Sequence, residues 1–177
     1  INGAPLYLLA VFVEQTVSGR SLFVAVRAKS GRHMLGGIVS AGTTFLAGYA
    51  LLWLAVGSIG LLFWGWGGAT AAWEMLSYAV VMKFLDLWVQ YLVMMGLYAV
   101  TKQITIGFLV LAAGNLLCII PQAWAAYVPF GLSSLTRIRE MSGVVGIPAV
   151  FAGAVEAALA GGLLIGLFVA GWQKILD

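Results

Sequence analysis

Charge is what this sequence has least of. Only 8% of its 177 residues are Asp, Glu, Lys or Arg, where a soluble domain carries about 25%. So little polar surface cannot cover a water-soluble globule. The same composition excludes disorder, which needs low hydrophobicity and high net charge. Cysteine is nearly absent: Cys118 stands alone, so no internal disulfide can form and the redox compartment stays open. His33 is the single histidine, with no second histidine and no Cys or acid at ligand spacing, which leaves a zinc or haem site unsupported.

Several signatures of chemistry are missing too. No Gly-x-x-x-x-Gly-Lys-Ser/Thr loop occurs, so the chain has no phosphate cradle of its own for ATP. Neither a Gly-x-Ser-x-Gly elbow nor a His-Glu-x-x-His helix is present. Basic residues cluster in a loop too short and too close to apolar sequence for nucleic-acid recognition. No basic leader precedes an apolar core at Ile1, so no signal peptide is read there.

What remains is apolar sequence. Hydrophobic residues make up 63% of the chain and the mean hydropathy is +1.06. These values describe an integral membrane protein, all-α and polytopic, forming a single transmembrane domain over 1–177.

A helix needs roughly 20 apolar residues to cross a bilayer core of about 30 Å. Residues 35–63 contain no charge and give the clearest span, ending at the interfacial turn Trp64-Gly65-Trp66-Gly67-Gly68. The next stretch, 70–101, is interrupted by Lys83 and Asp86, three apart and so on one helical face. It is expected to divide into an interfacial or re-entrant helix over 71–81 and a span over 87–101; one long tilted helix with a buried Lys–Asp pair is the less favoured alternative. A third stretch covers 104–120 and stops at Pro121. Residues 121–143 are mixed and read as short helices lying on the membrane surface. The last span runs over 145–172, interrupted by Pro148 and Glu156. Residues 4–13 look like the exit half of a span begun upstream. The total is about four full spans plus the end of an N-terminal one.

Orientation follows from the distribution of cations. Arg20, Arg27, Lys29, Arg32 and His33 stand against one acid, Glu14, between the first half-span and residue 35. This basic loop, 18–34, is therefore expected to be cytoplasmic, with the Trp64–Trp66 turn outside, Lys102 inside, 121–143 outside and Lys174 inside. Arg137 and Arg139 run against that count, and Glu140 offsets one of them. Within the loop, Leu22, Phe23, Val24 and Val26 lie beside Arg27 and Lys29. They form either a lipid-facing surface segment or a docking helix that presents Leu22 and Phe23 to a partner protein.

The order of features is Phe12-Val13-Glu14, Ser18-Gly19-Arg20, a short helix, a basic run from Arg27 to Arg32, then a long span. It resembles the permease subunits of the second type of ABC exporter, the drug, antibiotic and polysaccharide efflux class. The run from Met94 through Lys102 to Thr105, leading to Asn115-Leu116-Leu117, is similar to that family's junction between its fourth and fifth spans. The resemblance covers nearly the whole chain as a pattern of hydropathy and residue types. It implies a cytoplasmic coupling helix, with Glu14, Arg20, Ser21, Leu22, Phe23, Arg27 and Lys29 as the residues that meet the ATPase. It implies extracellular re-entrant helices over 121–143, and a first span and most of a second upstream of Ile1. It also implies a plasma-membrane location, a second permease copy or similar permease, and separate ABC ATPase subunits that bind ATP and magnesium. No cofactor is expected in this chain, which is read as a transport subunit and not an enzyme. The substrate class implied is a hydrophobic or amphipathic molecule such as a peptide or lipid-like antibiotic.

Polar groups inside the spans are few. Glu156 is the only acid deep in the last span, where a charge at mid-bilayer costs at least about 2.5–3.5 kcal/mol and so should face protein or water. It reads equally as a substrate-lining or protonated group and as a structural carboxyl. Gln90 and Asn115 join Glu156 as candidate groups of a substrate path. Lys83 and Asp86 read as an interfacial pair, with contact to substrate as the less favoured alternative. Gly153, Gly161, Gly162 and Gly166 on one helix suit close helix packing, with a gating hinge as the less favoured alternative, and Gly36, Gly37 and Gly42 on another suit close packing likewise. The alternatives are a carrier not driven by ATP and a membrane-embedded enzyme using Glu156 or the Lys83–Asp86 pair. Such an enzyme needs convergent polar groups, and along the sequence they stand isolated.

Overall fold

A computed structural model describes residues 3–18, 31–65, 68, 70–117 and 148–171. Every regular element among them is helical. In chain order these are α1 (Gly3–Ser18), α2 (Gly31–Phe63), α3 (Thr70–Thr101), α4 (Ile104–Leu117) and α5 (Ala149–Gly166), the last running into a π-helical turn, Leu167–Gly171. Three helices are long and apolar enough to cross a membrane: α2, α3, and α5 with its extension. The 14 described residues of α4 span about 21 Å at 1.5 Å per residue, short of a full crossing.

Local chemistry sets the helix ends. Pro5 sits in the first turn of α1, where its missing N–H is one that no helical carbonyl would receive. α2 closes with the Trp64 N–H donating to the Gly60 carbonyl at 3.1 Å and that of Gly65 to Leu62 at 3.2 Å. Gly65 then turns the chain at φ 71°, a left-handed conformation that costs glycine little. α3 ends on Lys102, whose N–H donates to the Tyr98 carbonyl at 2.8 Å. Its φ is 59°, so a lysine occupies the cap position where glycine is usual. Pro148 caps α5 at its start, and its carbonyl accepts from the Ala152 N–H at 3.0 Å.

Specific contacts give the directions of the helices. The Tyr91 hydroxyl donates to the Ile38 carbonyl at 3.0 Å, the Trp88 indole donates to Thr43 Oγ1 at 3.1 Å, and Leu76 lies against Gly57. Rising numbers on α3 meet falling numbers on α2, so the two are antiparallel. Asn115 reaches Gln90 and Gly107 packs on Met94, so α4 is antiparallel to α3 as well. By contrast, the Tyr78 hydroxyl donates to the Ala149 carbonyl at 3.1 Å and Met82 lies against Gly153, while Gly96 and Val100 share a groove with Gly162 and Gly166. α5 therefore runs parallel to α3. The Tyr7 and Phe108 rings meet edge to face at 6.1 Å, bringing α1 against α4.

α3 lies at the centre and touches every other described helix. Tyr91, Leu92, Met94 and Met95 are fully enclosed and join Leu9, Val13, Leu46 and Leu111 in one core. One side of the outer half of α2 is bare: Leu51, Leu52, Val56, Ile59, Leu62 and Phe63 are all exposed, the surface that lipid covers for a helix crossing a bilayer.

Two expectations change. Residues 70–101 are one continuous helix, not an interfacial helix over 71–81 followed by a span over 87–101. Lys83 and Asp86 do not break it, because they sit near its middle and act on Glu156 of α5. Protein supplies the polar surroundings that an interface would otherwise provide. Pro148 likewise starts the last helix and does not interrupt it. The short apolar stretch 4–13 extends as helix to Ser18. The surface helices expected over 121–143 lie outside the described residues.

Candidate functional site: a buried polar cluster between α3, α4 and α5

α3 carries Lys83, Asp86 and Gln90 at spacings of three and four, a single stripe along the helix. Facing it, α5 buries Ala152, Glu156 and Ala160, each four residues from the next. The alanines let the helices approach, and the one long side chain between them is Glu156. From the other side α4 contributes Asn115.

Hydrogen bonds connect most of the set. Asn115 Nδ2 donates to Gln90 Oε1 at 2.8 Å and to its own helix at the Leu111 carbonyl, also 2.8 Å. Gln90 Nε2 in turn donates to Asp86 Oδ1 at 2.7 Å. Asp86 and Lys83 both act electrostatically on Glu156. Glu156 is 1% exposed and Asp86 2%, yet neither oxygen of Glu156 has a hydrogen-bond partner. Two buried acids thus share one cation, and one of the acids is left without donors.

Glu156, Gln90 and Asn115, the three candidate path residues, are therefore brought together. Lys83 and Asp86 belong with them, and their reading as an interfacial pair is corrected by their place at mid-helix. The polar groups that stand isolated along the sequence converge in space. The stripe spacing 83, 86, 90 is the one signal in the sequence that marks this set.

None of these residues lines the open groove of the chain. That groove, about 670 Å³, runs along the α3–α5 seam past Gly96, Ala99, Val155, Leu159, Gly162 and Gly166 and is almost wholly apolar. Gly161, Gly162 and Gly166 have no neighbour within 4 Å of a built Cβ, so within this chain they border open space and do not pack against another helix. Gly153 and Gly42 do sit in close contacts, with Met82 and with Tyr91.

Of the coupling residues, Glu14 is exposed toward the end of α1 and acts electrostatically on Tyr98. Arg20, Ser21, Leu22, Phe23, Arg27 and Lys29 lie outside the described residues. Among the described residues no group of three or more His, Cys, Asp or Glu is placed to hold a metal ion. Compared with protein-family models, with curated proteins and with solved structures, the chain matches none.

Proposed function

We propose that this chain is the membrane-spanning permease subunit of an ATP-driven exporter of the ABC type. It sits in the plasma membrane and works with a second permease copy or a similar permease. Separate ATPase subunits bind ATP and magnesium and dock on residues 20–29. Closure of the ATPase dimer moves that segment, and the spans follow, changing the side to which the cavity between permeases opens. The substrate is a hydrophobic or amphipathic molecule of the peptide or lipid-like antibiotic class.

One observation carries the reading beyond the sequence pattern. The end of α1, the start of α2, the α3–α4 junction at Lys102 and the end of α5 all gather at one end of the bundle, as the helix directions require. Ser18, where α1 ends, and Gly31, where α2 begins, thus lie at the end of the bundle that carries the exposed Lys102, which supports a cationic side facing a cytoplasmic partner.

Purification of the tagged chain in mild detergent tests the proposal. A stoichiometric ATPase is expected to copurify, and Leu22→Asp or Phe23→Asp is expected to release it. A folded chain that retains no ATPase would remove the main support. A carrier driven by an ion gradient is the second reading, favoured by the convergence of Lys83, Asp86 and Glu156; it predicts transport without any ATPase.

A further inference from the structure

We propose that the Glu156 carboxyl is an intramembrane proton-binding site, with the Lys83–Asp86 pair of α3 as its charge partner. The site takes its proton from the adjoining aqueous phase. Proton binding there does not depend on whether ATP or an ion gradient drives the protein.

Charge balance comes first. With Lys83, Asp86 and Glu156 all ionised, these three described residues sum to one net negative charge. A single such charge in the membrane interior costs several kcal/mol, and one proton removes it. The hydrogen bonds then indicate which acid takes the proton. Asp86 Oδ1 accepts from Gln90, and that amide is held from behind by Asn115, a donor chain that stabilises a carboxylate. Glu156 receives no donor at either oxygen and is enclosed by α3 and the small residues of its own face. The acid with donors keeps the charge, and the acid without them holds the proton.

The surroundings support a proton over a metal cation. Among the described residues, the charged groups acting on Glu156 are Asp86 and Lys83, both from α3. α4 has no titratable side chain, and Tyr7, Glu14, His33 and Tyr49 of α1 and α2 are not among the groups acting on it. A sodium or calcium ion would need about six oxygen ligands and would stand beside the Lys83 ammonium, which repels it. A proton needs one oxygen.

The experiment uses the full chain reconstituted in neutral phospholipid vesicles. A hydrophobic carbodiimide, which reacts with protonated carboxyls in apolar surroundings, is applied from about pH 5 to about pH 9, and the modified peptides are mapped by mass. Glu156 should be modified and Asp86 spared. The rate at Glu156 should fall as the pH rises across the range, because its protonated fraction falls. The infrared band of a protonated carboxyl should vanish in Glu156→Gln. Absence of modification at Glu156 at every pH, or a rate that does not change with pH, would overturn the proposal. The wild-type profile decides the matter even if Glu156→Gln does not fold. The isolated chain is used throughout, so failure to find an ATPase partner leaves this result intact.

Discussion

Asn115 of α4 donates to the Gln90 side chain of α3 at 2.8 Å, a hydrogen bond that ties these two helices through side chains in the polar cluster. Gln90 passes the constraint on to Asp86, so the three residues hold one another's orientation. A double-mutant cycle of Gln90→Leu and Asn115→Leu should give a coupling energy of about 0.6 kcal/mol and no more than about 1.7, the range for such bonds in membrane bundles. Reversible unfolding in mixed micelles measures it. A coupling energy of zero would place the two side chains apart.

The one cation among the charged members holds two acids. Lys83→Met should destabilise the fold by about 1–3 kcal/mol, below the 3–5 typical of a fully buried pair because Lys83 is only half-buried. Adding Asp86→Asn should recover part of that loss by removing one of the acids. A double variant less stable than Lys83→Met alone would show that unbalanced charge is not the cause. The same micelle unfolding assay reads both.

Gly42 lies under the Tyr91 ring. A Cβ there would stand 2.6 Å from both the ring Cε1 and the hydroxyl, the same hydroxyl that donates to the Ile38 carbonyl. Gly42→Ala should therefore cost about 1–3 kcal/mol through overpacking. Gly48, with nothing within 4 Å of a built Cβ, is the internal control. Gly48→Ala should stabilise by about 0.5–1 kcal/mol through helix propensity. Thermal unfolding in detergent distinguishes the two directions.

The antiparallel pairing of α2 and α3 puts residues 68 and 103 at opposite ends of the bundle, and both are exposed. With Cys118 replaced by Ala, Gly68→Cys should react with a membrane-impermeant thiol reagent from outside the cell. Gln103→Cys should react only after the membrane is opened. Labelling of both from the same side would contradict the arrangement.

How much of this could be read from residues alone varied with the kind of information needed. The span at 35–63 is plain because no charge interrupts it, and α2 indeed covers it. The continuity of α3 was only the less favoured of two readings, because a Lys–Asp pair in one dimension looks the same at an interface as against a third charge contributed by a distant helix. Glu156 stood out by itself, since an acid in an apolar run is conspicuous wherever the run folds. That Lys83 and Asp86 meet it did not show, because hydropathy carries no information about which spans touch. The glycines divide the same way: Gly42 marks a close contact as its small size suggests, whereas Gly162 and Gly166 border a groove.

The central place of α3 has an evolutionary consequence. A helix that contacts all its neighbours must satisfy every one of them with each change, so substitutions between Met82 and Ala99 should be poorly tolerated over most of its circumference. Apart from Gly57, which lies under Leu76, the exposed residues in the outer half of α2 face lipid in a membrane, and lipid accepts any apolar side chain. Drift in this protein should therefore accumulate along α2 from Leu51 to Phe63, while α3 holds its sequence nearly still.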